Sequence, residues 1–143
     1  VGLLMAPCRE AKAFLHPSSA AVYAPPGDEP RSESAALGDN HKHLFPTYSI
    51  SKIAGETVVR TMSRALDLPA TIARFNVPYG DNGGWPYYQM EMILAGIPIQ
   101  VPPGGPALYN PIHEDDILAT LPKLLTGCRV VQRGEARQET EVR

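Results

Sequence analysis

The sequence predicts an α/β fold built around a parallel sheet, and three segments support that prediction. Residues 12–16 read as a short buried strand that stops at Ser18 and Ser19, and residues 69–75 read as a second apolar strand. Between them, residues 48–66 carry apolar side chains at helical spacing: Ile50, Ile53, Ala54, Val58, Met62 and Leu66. A strand, a helix and another strand in this order form the βαβ unit of a parallel sheet.

The rest of the chain adds shorter elements. Residues 1–5 read as the end of a helix, residues 87–95 as a helix whose methionines fill core space, and residues 97–101 as a short strand. A last helix is expected over residues 117–125, capped by Asp115 or Asp116. Residues 127–143 have few apolar side chains and no clear period. We therefore expect a polar, mobile tail after a domain of residues 1–126.

Composition indicates a globular protein and argues against several classes of partner. Hydrophobic residues make up 43% of the chain and charged residues 20%, and a formal net charge of -2 gives no nucleic-acid footprint. No apolar run approaches the length of a membrane helix. His41 and His43 lie in a polar loop, where we expect solvation rather than a bound metal. Cys8 and Cys128 are far apart in sequence, and two free thiols fit a reducing cytosol, so a cytoplasmic protein is expected.

Tyr48 and Lys52 are the first candidates for chemistry because they stand four residues apart on the predicted helix. Residues at this spacing share one helix face, so the ammonium can lie beside the phenol. Free tyrosine titrates near pH ~10, and a nearby positive charge favours the phenolate, which could take a proton from an alcohol. Ser19, at a strand end, could hold the same oxygen by a hydrogen bond. The alternative is a surface pair, because so short a pattern recurs by chance.

Four segments, in a fixed order, resemble those of a known family. They are residues 18–23, 46–52, 73–80 and 111–117. The first resembles the segment with the family's catalytic Ser or Thr, which falls on Ser19, and the second resembles its Tyr-x-x-x-Lys segment. The third and fourth resemble its Arg-Phe-Asn-Val-Tyr-Gly and Ile-His-Val-Asp-Asp segments, and Glu33 resembles an acidic residue common in the intervening loop. The family is the extended short-chain dehydrogenases/reductases, the NAD-dependent sugar epimerases and dehydratases. The resemblance implies a partial Rossmann-like sheet with a small substrate-side segment.

The resemblance also implies a role for each matched residue. Tyr48 would be the acid/base, and Lys52 would bind the nicotinamide ribose and promote ionisation of Tyr48. Ser19 would orient the substrate oxygen. Phe75 would lie beside the nicotinamide through its backbone, and Asn76 would contact the substrate. Two alternatives stay open, because Phe75 ends a buried strand and could serve core packing alone, and Asn76 could simply cap a turn.

Cofactor, substrate and partners follow from the same resemblance. The cofactor would be NAD or NADP, and the substrate a small molecule, either a sugar or a nucleotide-sugar. The stretch of residues 107–110 has no arginine where nucleotide-sugar binders often carry one. A homodimer would form through the helix of Tyr48. His113 would serve as a second proton carrier or, as the favoured alternative, make a structural hydrogen bond to its loop.

One feature of the family is missing from these residues. Its glycine-rich dinucleotide loop belongs on the first strand, about a hundred residues before the catalytic serine, whereas only eighteen residues precede Ser19. The glycines at 80, 83 and 84 do not replace it, since Trp85 and Pro86 follow at once and indicate a turn. We therefore expect a C-terminal portion of a family member. The parent protein would be an enzyme, and this chain alone would be inactive. The alternative is a non-catalytic remnant that pairs with another chain.

Overall fold

A computed structural model of the protein describes residues 1–24, 29–40, 42, 45–99, 110–128 and, for the backbone only, 140–142. Its helices are α1 (Gly2–Met5), α2 (Tyr48–Leu66), α3 (Trp85–Leu94) and α4 (Glu114–Thr126), with a 3-10 turn at Ala20–Val22. Its strands are β1 (Phe14–Ser19), β2 (Ala70–Phe75), β3 (Pro78–Gly80), β4 (Gly83–Gly84), β5 (Ile112–His113) and β6 (Thr140–Val142). In this part of the chain no helix is long and apolar enough to cross a membrane.

A parallel sheet in the order β1-β2-β6 forms the centre of the molecule. Strands β1 and β2 pair along their whole length, from Phe14 opposite Ala70 to Ser19 opposite Phe75. Helix α2 connects them, so the predicted βαβ unit and the α/β fold class are confirmed. A smaller sheet in the order β4-β3-β5 continues from the end of β2.

Two hydrophobic clusters cover opposite faces of β2, whose six residues are all buried. Ala70 and Ile72 pack with residues from the α1 and α2 side, namely Met5, Val59 and Leu68. Ala73 and Phe75 pack with Ile112 and with Leu124 of α4. Because side chains alternate along a strand, α2 and α4 form separate layers on the two sides of the sheet.

The buried face of α2 differs from the one that apolar spacing indicates. Four residues of the helix are buried, Ser49, Glu56, Val59 and Ser63. In contrast, Ile50 is 54% exposed and Val58 is 38% exposed. The reason is that α2 meets the sheet through small side chains and hydrogen-bonding groups, which a count of apolar positions cannot register.

Several shorter elements also differ from expectation. Helix α3 begins at Trp85 and has no buried residue, and Met90 is 50% exposed, so its predicted role in core filling is wrong. Residues 97–99 are not a strand, and the remainder of that predicted strand lies outside the described residues. Helix α4 starts three residues earlier than predicted, and its cap is His113 rather than an aspartate.

Two further predictions concern a turn and the tail. The glycines after β2 form a hairpin between β3 and β4, so the predicted turn is confirmed. The composition of the tail predicts no regular structure, but the tail contains strand β6, which pairs in parallel with β2. Backbone hydrogen bonds can pair a strand whatever its side chains, and the mobility of residues 127–143 stays a prediction. Both cysteines are free, and His41 and His43 lie outside the described residues.

Candidate active site

The carboxyl ends of β1 and β2 bring three of the predicted site residues to one edge of the sheet. Ser19 and Phe75 are the last residues of their strands and lie opposite each other in the parallel register. Asn76, half-buried, follows β2 directly. Ligands of open α/β sheets bind in the crevice outside this edge.

Ser19 is held by a local backbone contact. Its backbone is extended, with φ -144° and ψ 145°, and its Oγ accepts a hydrogen bond of 3.2 Å from the backbone N–H of Ala21. The side chain thereby caps the short 3-10 turn that follows β1. A hydroxyl that accepts a hydrogen bond keeps its own hydrogen for donation. Ser19 can therefore donate to a substrate oxygen that lies just outside the sheet edge.

Lys52 links the predicted phenol to the same edge. Its ammonium Nζ lies 5.8 Å from the centre of the Tyr48 ring, on the preceding turn of α2. The same Nζ donates a hydrogen bond of 3.3 Å to the backbone carbonyl of Pro17, two residues before Ser19. Tyr48, the first residue of α2, is 37% exposed. Tyr48 and Lys52, four residues apart, are thus arranged as the helix predicts, with the ammonium beside an accessible phenol.

Two residues next to the site have unusual backbone angles. Thr47, before Tyr48, has φ 69°, and Val77, after Asn76, has φ 41°. Both are β-branched, and such residues rarely adopt positive φ because the side chain clashes with the backbone. Strained backbone of this kind concentrates at functional sites, where the surrounding structure holds it. These angles mark the two points at which the chain turns sharply beside candidate site residues.

A buried ion pair behind the edge was not found by sequence reasoning. The carboxylate of Glu56, on α2, accepts hydrogen bonds from Arg74 Nε at 2.9 Å and from a terminal guanidinium nitrogen of Arg74 at 2.6 Å. It also accepts a bond of 2.6 Å from Ser18 Oγ and one of 3.1 Å from Arg60. Both Glu56 and Arg74 are only 1% exposed. A further guanidinium nitrogen of Arg74 donates to the carbonyl of Glu33, at 3.0 Å.

Opposing effects set the charge of this pair. Burial raises the pKa of Glu56, but hydrogen bonds from Arg74 and Ser18, with the charge of Arg74, outweigh it and leave the pKa below its ordinary value. Burial lowers the pKa of Arg74, whereas the hydrogen bonds and the charge of Glu56 raise it above its ordinary value. The pair is therefore ionised at neutral pH.

One signal in the sequence could have indicated this pair. Glu56 follows Lys52 by four residues and Tyr48 by eight, so it continues the helix face that carries the candidate chemistry. Arg74 interrupts an otherwise apolar strand. A buried charge needs a partner, and a carboxylate on the helix that covers this strand is a natural one.

His113 has a local structural contact rather than a place at the edge formed by β1 and β2. Its Nδ1 accepts a hydrogen bond of 3.3 Å from the backbone N–H of Asp115 and caps α4. Its ring lies against Tyr79, with ring centres 5.1 Å apart. A histidine whose Nδ1 accepts in this way carries its proton on Nε2 when neutral. This contact agrees with the favoured alternative, the structural hydrogen bond.

The residues present fit one half of a dinucleotide. At the carboxyl edge, the Lys52 ammonium would hold the hydroxyl groups of a ribose, and the backbone at the end of β2 would lie beside a nicotinamide ring. In the part of the chain that the structure describes, the glycines after β3 form the hairpin to β4, so they are not a phosphate-binding loop. No group of acidic, histidine or cysteine side chains suited to a metal ion occurs in the part of the chain that the structure describes.

Known structures of similar fold support the architecture. A UDP-glucuronic acid 4-epimerase from Bacillus cereus, in complex with UDP-glucuronic acid and NAD, has TM-score 0.74 and 21% identity. A UDP-glucose 4-epimerase from Thermus thermophilus, in complex with NAD, has TM-score 0.71 and 20% identity. A dTDP-glucose 4,6-dehydratase from Streptomyces venezuelae, with NAD and TYD bound, has TM-score 0.73 and 22% identity.

These comparisons cover nearly all of this chain but less than half of each similar protein. The matches take in 98%, 99% and 98% of this chain but 43%, 46% and 42% of those proteins, so the chain spans less than half their length. No curated protein matched the sequence. The sequence model of the NAD dependent epimerase/dehydratase family matches residues 3–135, nearly the whole chain. The chain therefore belongs to the NAD dependent epimerase/dehydratase family.

Proposed function

We propose that this chain supplies the proton-transfer and substrate-side residues of an NAD-dependent epimerase or dehydratase. The observation that carries the proposal is that Ser19 and Phe75 end neighbouring parallel strands, while Lys52, beside Tyr48, donates to the Pro17 carbonyl two residues before Ser19. Family membership supports the reaction class. The alternatives within that class are epimerisation, dehydration and plain carbonyl reduction, which share these residues.

The proton chemistry follows from the arrangement. NAD, when bound, supplies the acceptor and donor of hydride. Tyr48, as phenolate, takes the hydroxyl proton of the substrate alcohol. Loss of hydride from the carbon that bears this oxygen then leaves a carbonyl. Lys52 holds its ammonium 5.8 Å from the centre of the Tyr48 ring. Ser19 donates a hydrogen bond to the reacting oxygen and keeps it within reach of Tyr48. The reverse transfer returns the proton and reduces the carbonyl.

The proposed substrate class is a nucleotide-sugar, and the proposed cofactor is NAD rather than NADP. Structural neighbours are named as complexes with NAD, and they act on or bind UDP-glucuronic acid, UDP-glucose and dTDP-glucose. Asn76, directly after β2, would contact the sugar, and Phe75 would face the nicotinamide through its backbone. Residues 107–109, where an arginine is absent, lie outside the described residues.

Substitution of Tyr48 tests the proposal in the protein at its natural length. Tyr48→Phe removes one hydroxyl, so turnover should fall by about a hundredfold or more, as is usual for a lost general acid/base, while the circular dichroism spectrum stays unchanged. Tyr87→Phe is the matched control, because it removes a phenol hydroxyl whose hydrogen bond of 2.9 Å goes to Glu91 on its own helix. Near-normal kcat in Tyr48→Phe would remove Tyr48 from the mechanism.

Lys52→Ala provides the second arm of that experiment. If Lys52 both binds the nicotinamide ribose and favours the phenolate, the substitution should weaken NAD binding and slow turnover together. Equilibrium dialysis measures the first effect and initial rates the second. A variant that changes neither contradicts the double role.

A second candidate function is a non-catalytic pairing module. The outer edge of β1, which pairs with no other described strand, favours it. This candidate predicts that the 143-residue chain does not bind NAD at micromolar concentration, and that it pulls down a second polypeptide. Micromolar NAD binding by the chain alone argues against the pairing module and for the enzyme.

A further inference from the structure

The buried carboxylate of Glu56, on α2, contacts β1 and β2. Each of these three elements carries a candidate site residue, either next to the contact or one helical turn away. Its partner Ser18 precedes Ser19 on β1, and its partner Arg74 precedes Phe75 on β2. Glu56 itself lies one turn after Lys52 on α2. We propose that Glu56 is a positioning residue, which fixes α2 against the ends of β1 and β2 so that the Tyr48–Lys52 pair faces Ser19. This inference rests on the proposed function.

Distances support a rigid link rather than a loose ion pair. The Ser18 bond, at 2.6 Å, has the length of a charge-assisted bond from a hydroxyl to a carboxylate, and one Arg74 bond is equally short. Arg74 engages the two carboxylate oxygens through two different nitrogens, which fixes the orientation as well as the separation. Apolar packing between the same elements would allow small sliding movements, whereas directional bonds of this kind do not.

Stability alone is a weak reason for such a pair. Taking two charges out of water costs free energy that their attraction often only balances, and well-packed apolar residues are frequently as stable in the same place. Here the pair lies directly behind the edge that carries the candidate site, and Arg74 also holds the polar loop through the Glu33 carbonyl. Its location therefore favours a role in geometry.

A matched pair of serine substitutions separates positioning from stabilisation. Ser18→Ala removes only the 2.6 Å bond to Glu56 and leaves the Glu56–Arg74 pair in place. Ser63→Ala removes a bond of similar length, 2.7 Å, from another buried serine to the carbonyl of Leu68. Ser63 lies on the same helix, and its bond is remote in sequence from the candidate site. Both variants lose one buried hydroxyl and one hydrogen bond.

Amide hydrogen exchange followed by NMR reads out the geometry without any need for activity. Ser18→Ala should speed exchange at the Lys52 and Ile53 amides about tenfold more than the accompanying change in global stability explains. In Ser63→Ala, exchange at these two amides should be as slow as in the native chain, after correction for the change in global stability. Equal behaviour of the two variants at Lys52 and Ile53 overturns the positioning role.

Kinetics of the natural-length protein provide the second readout. Ser18→Ala should lower kcat and raise the KM for NAD, because Tyr48 and Lys52 both shift with α2, and Ser63→Ala should change neither. Glu56→Gln, which also leaves Arg74 without its counter-charge, should lower kcat further if it folds. A natural-length protein that shows no turnover at all contradicts the proposed function, while hydrogen exchange still decides whether Glu56 positions α2.

Discussion

His16 is a half-buried titratable residue that the proposed chemistry does not use. It lies on β1 with its ring packed against α2, and a Cβ built on Gly55 would come within 3.2 Å of its Nε2. This nitrogen is buried and has no hydrogen-bond partner among the described residues. Burial, and then the charge of Lys52, lower the pKa of His16, while the charge of Glu56 opposes them. The folded protein therefore favours the neutral imidazole.

Acid should for this reason destabilise the fold through His16. Because its folded pKa is lower than its unfolded pKa, the folded state binds fewer protons, and stability falls as the pH drops from the ordinary histidine pKa towards the folded one. Above pH ~7 the effect vanishes, since both states are then neutral. Denaturant unfolding at several pH values should show a smaller loss in His16→Gln than in the native chain. Parallel stability curves for the two proteins would contradict this assignment.

Single residues differ in how far the sequence reveals them. Tyr48, Lys52 and Ser19 could be proposed from spacing and resemblance, because their chemistry belongs to the side chains themselves. Glu56 and Arg74 are indicated only by a charge inside a buried strand and a carboxylate on the covering helix, because their importance comes from a contact between residues eighteen positions apart. Local patterns carry little information about such pairs, which only the packing of α2 on β2 creates.

At the level of the elements, the junction between β2 and β3 depends on Val77. The chain leaves the main sheet at Asn76 and enters the small sheet at Pro78, and Val77 makes this turn with φ 41°. The Val77 carbonyl accepts a 3.3 Å bond from the Ile112 backbone N–H, which holds the turn in place. A left-handed conformation costs a side-chain-bearing residue about 1–2 kcal/mol relative to glycine.

Glycine at this junction should be more stable than alanine. Val77→Ala keeps the strained conformation and loses the valine contacts, whereas Val77→Gly loses the same contacts but relieves strain. We expect Val77→Gly to exceed Val77→Ala in unfolding free energy by about 1 kcal/mol, the reverse of the usual order inside regular elements. Urea denaturation of the two variants measures the difference. A less stable glycine variant would show that the turn is unstrained.

The helices show what apolar periodicity can and cannot predict. The spacing of apolar residues predicts the existence and the bounds of α2, because a helix of nineteen residues contains enough turns to show a period. It does not predict which face of α2 is buried, because most of the buried residues are polar: Ser49, Glu56 and Ser63. The ten-residue α3 is predicted within two residues, yet it packs no residue into the core.

At the level of the whole molecule, α2 leaves an apolar stripe uncovered beside the candidate site. Ile50 is 54% exposed, Val58 is 38% exposed, and Phe45, just before the helix, is 61% exposed. Ile50 and Val58, eight residues apart, lie on one face of the helix, and Phe45 adds exposed apolar surface before its first turn. We propose that this stripe is the contact of a homodimer in which two copies of α2 pack together, and that it would order the start of the Tyr48 helix.

Substitution on the stripe should dissociate that dimer. Ile50→Asp places a charge in the proposed contact, so sedimentation velocity should change from a dimer to a monomer, a loss of about tenfold or more in association. Leu94→Asp is the control, because Leu94 is 79% exposed on α3 and outside the proposed contact. A monomeric native chain, or a dimer lost only in the control, would contradict the proposal.

The sequence by itself determined the α/β class, the βαβ unit, the hairpin glycines and the residues of the candidate chemistry. These depend on local period, turn residues and side-chain identity, all of which are present along the chain. Only the tertiary structure decided that α2 buries Glu56 rather than Ile50, that His113 caps α4, and that β6 joins the sheet beside β2. These outcomes depend on which surfaces meet in space, and contacts between distant segments compete with local preference and override it.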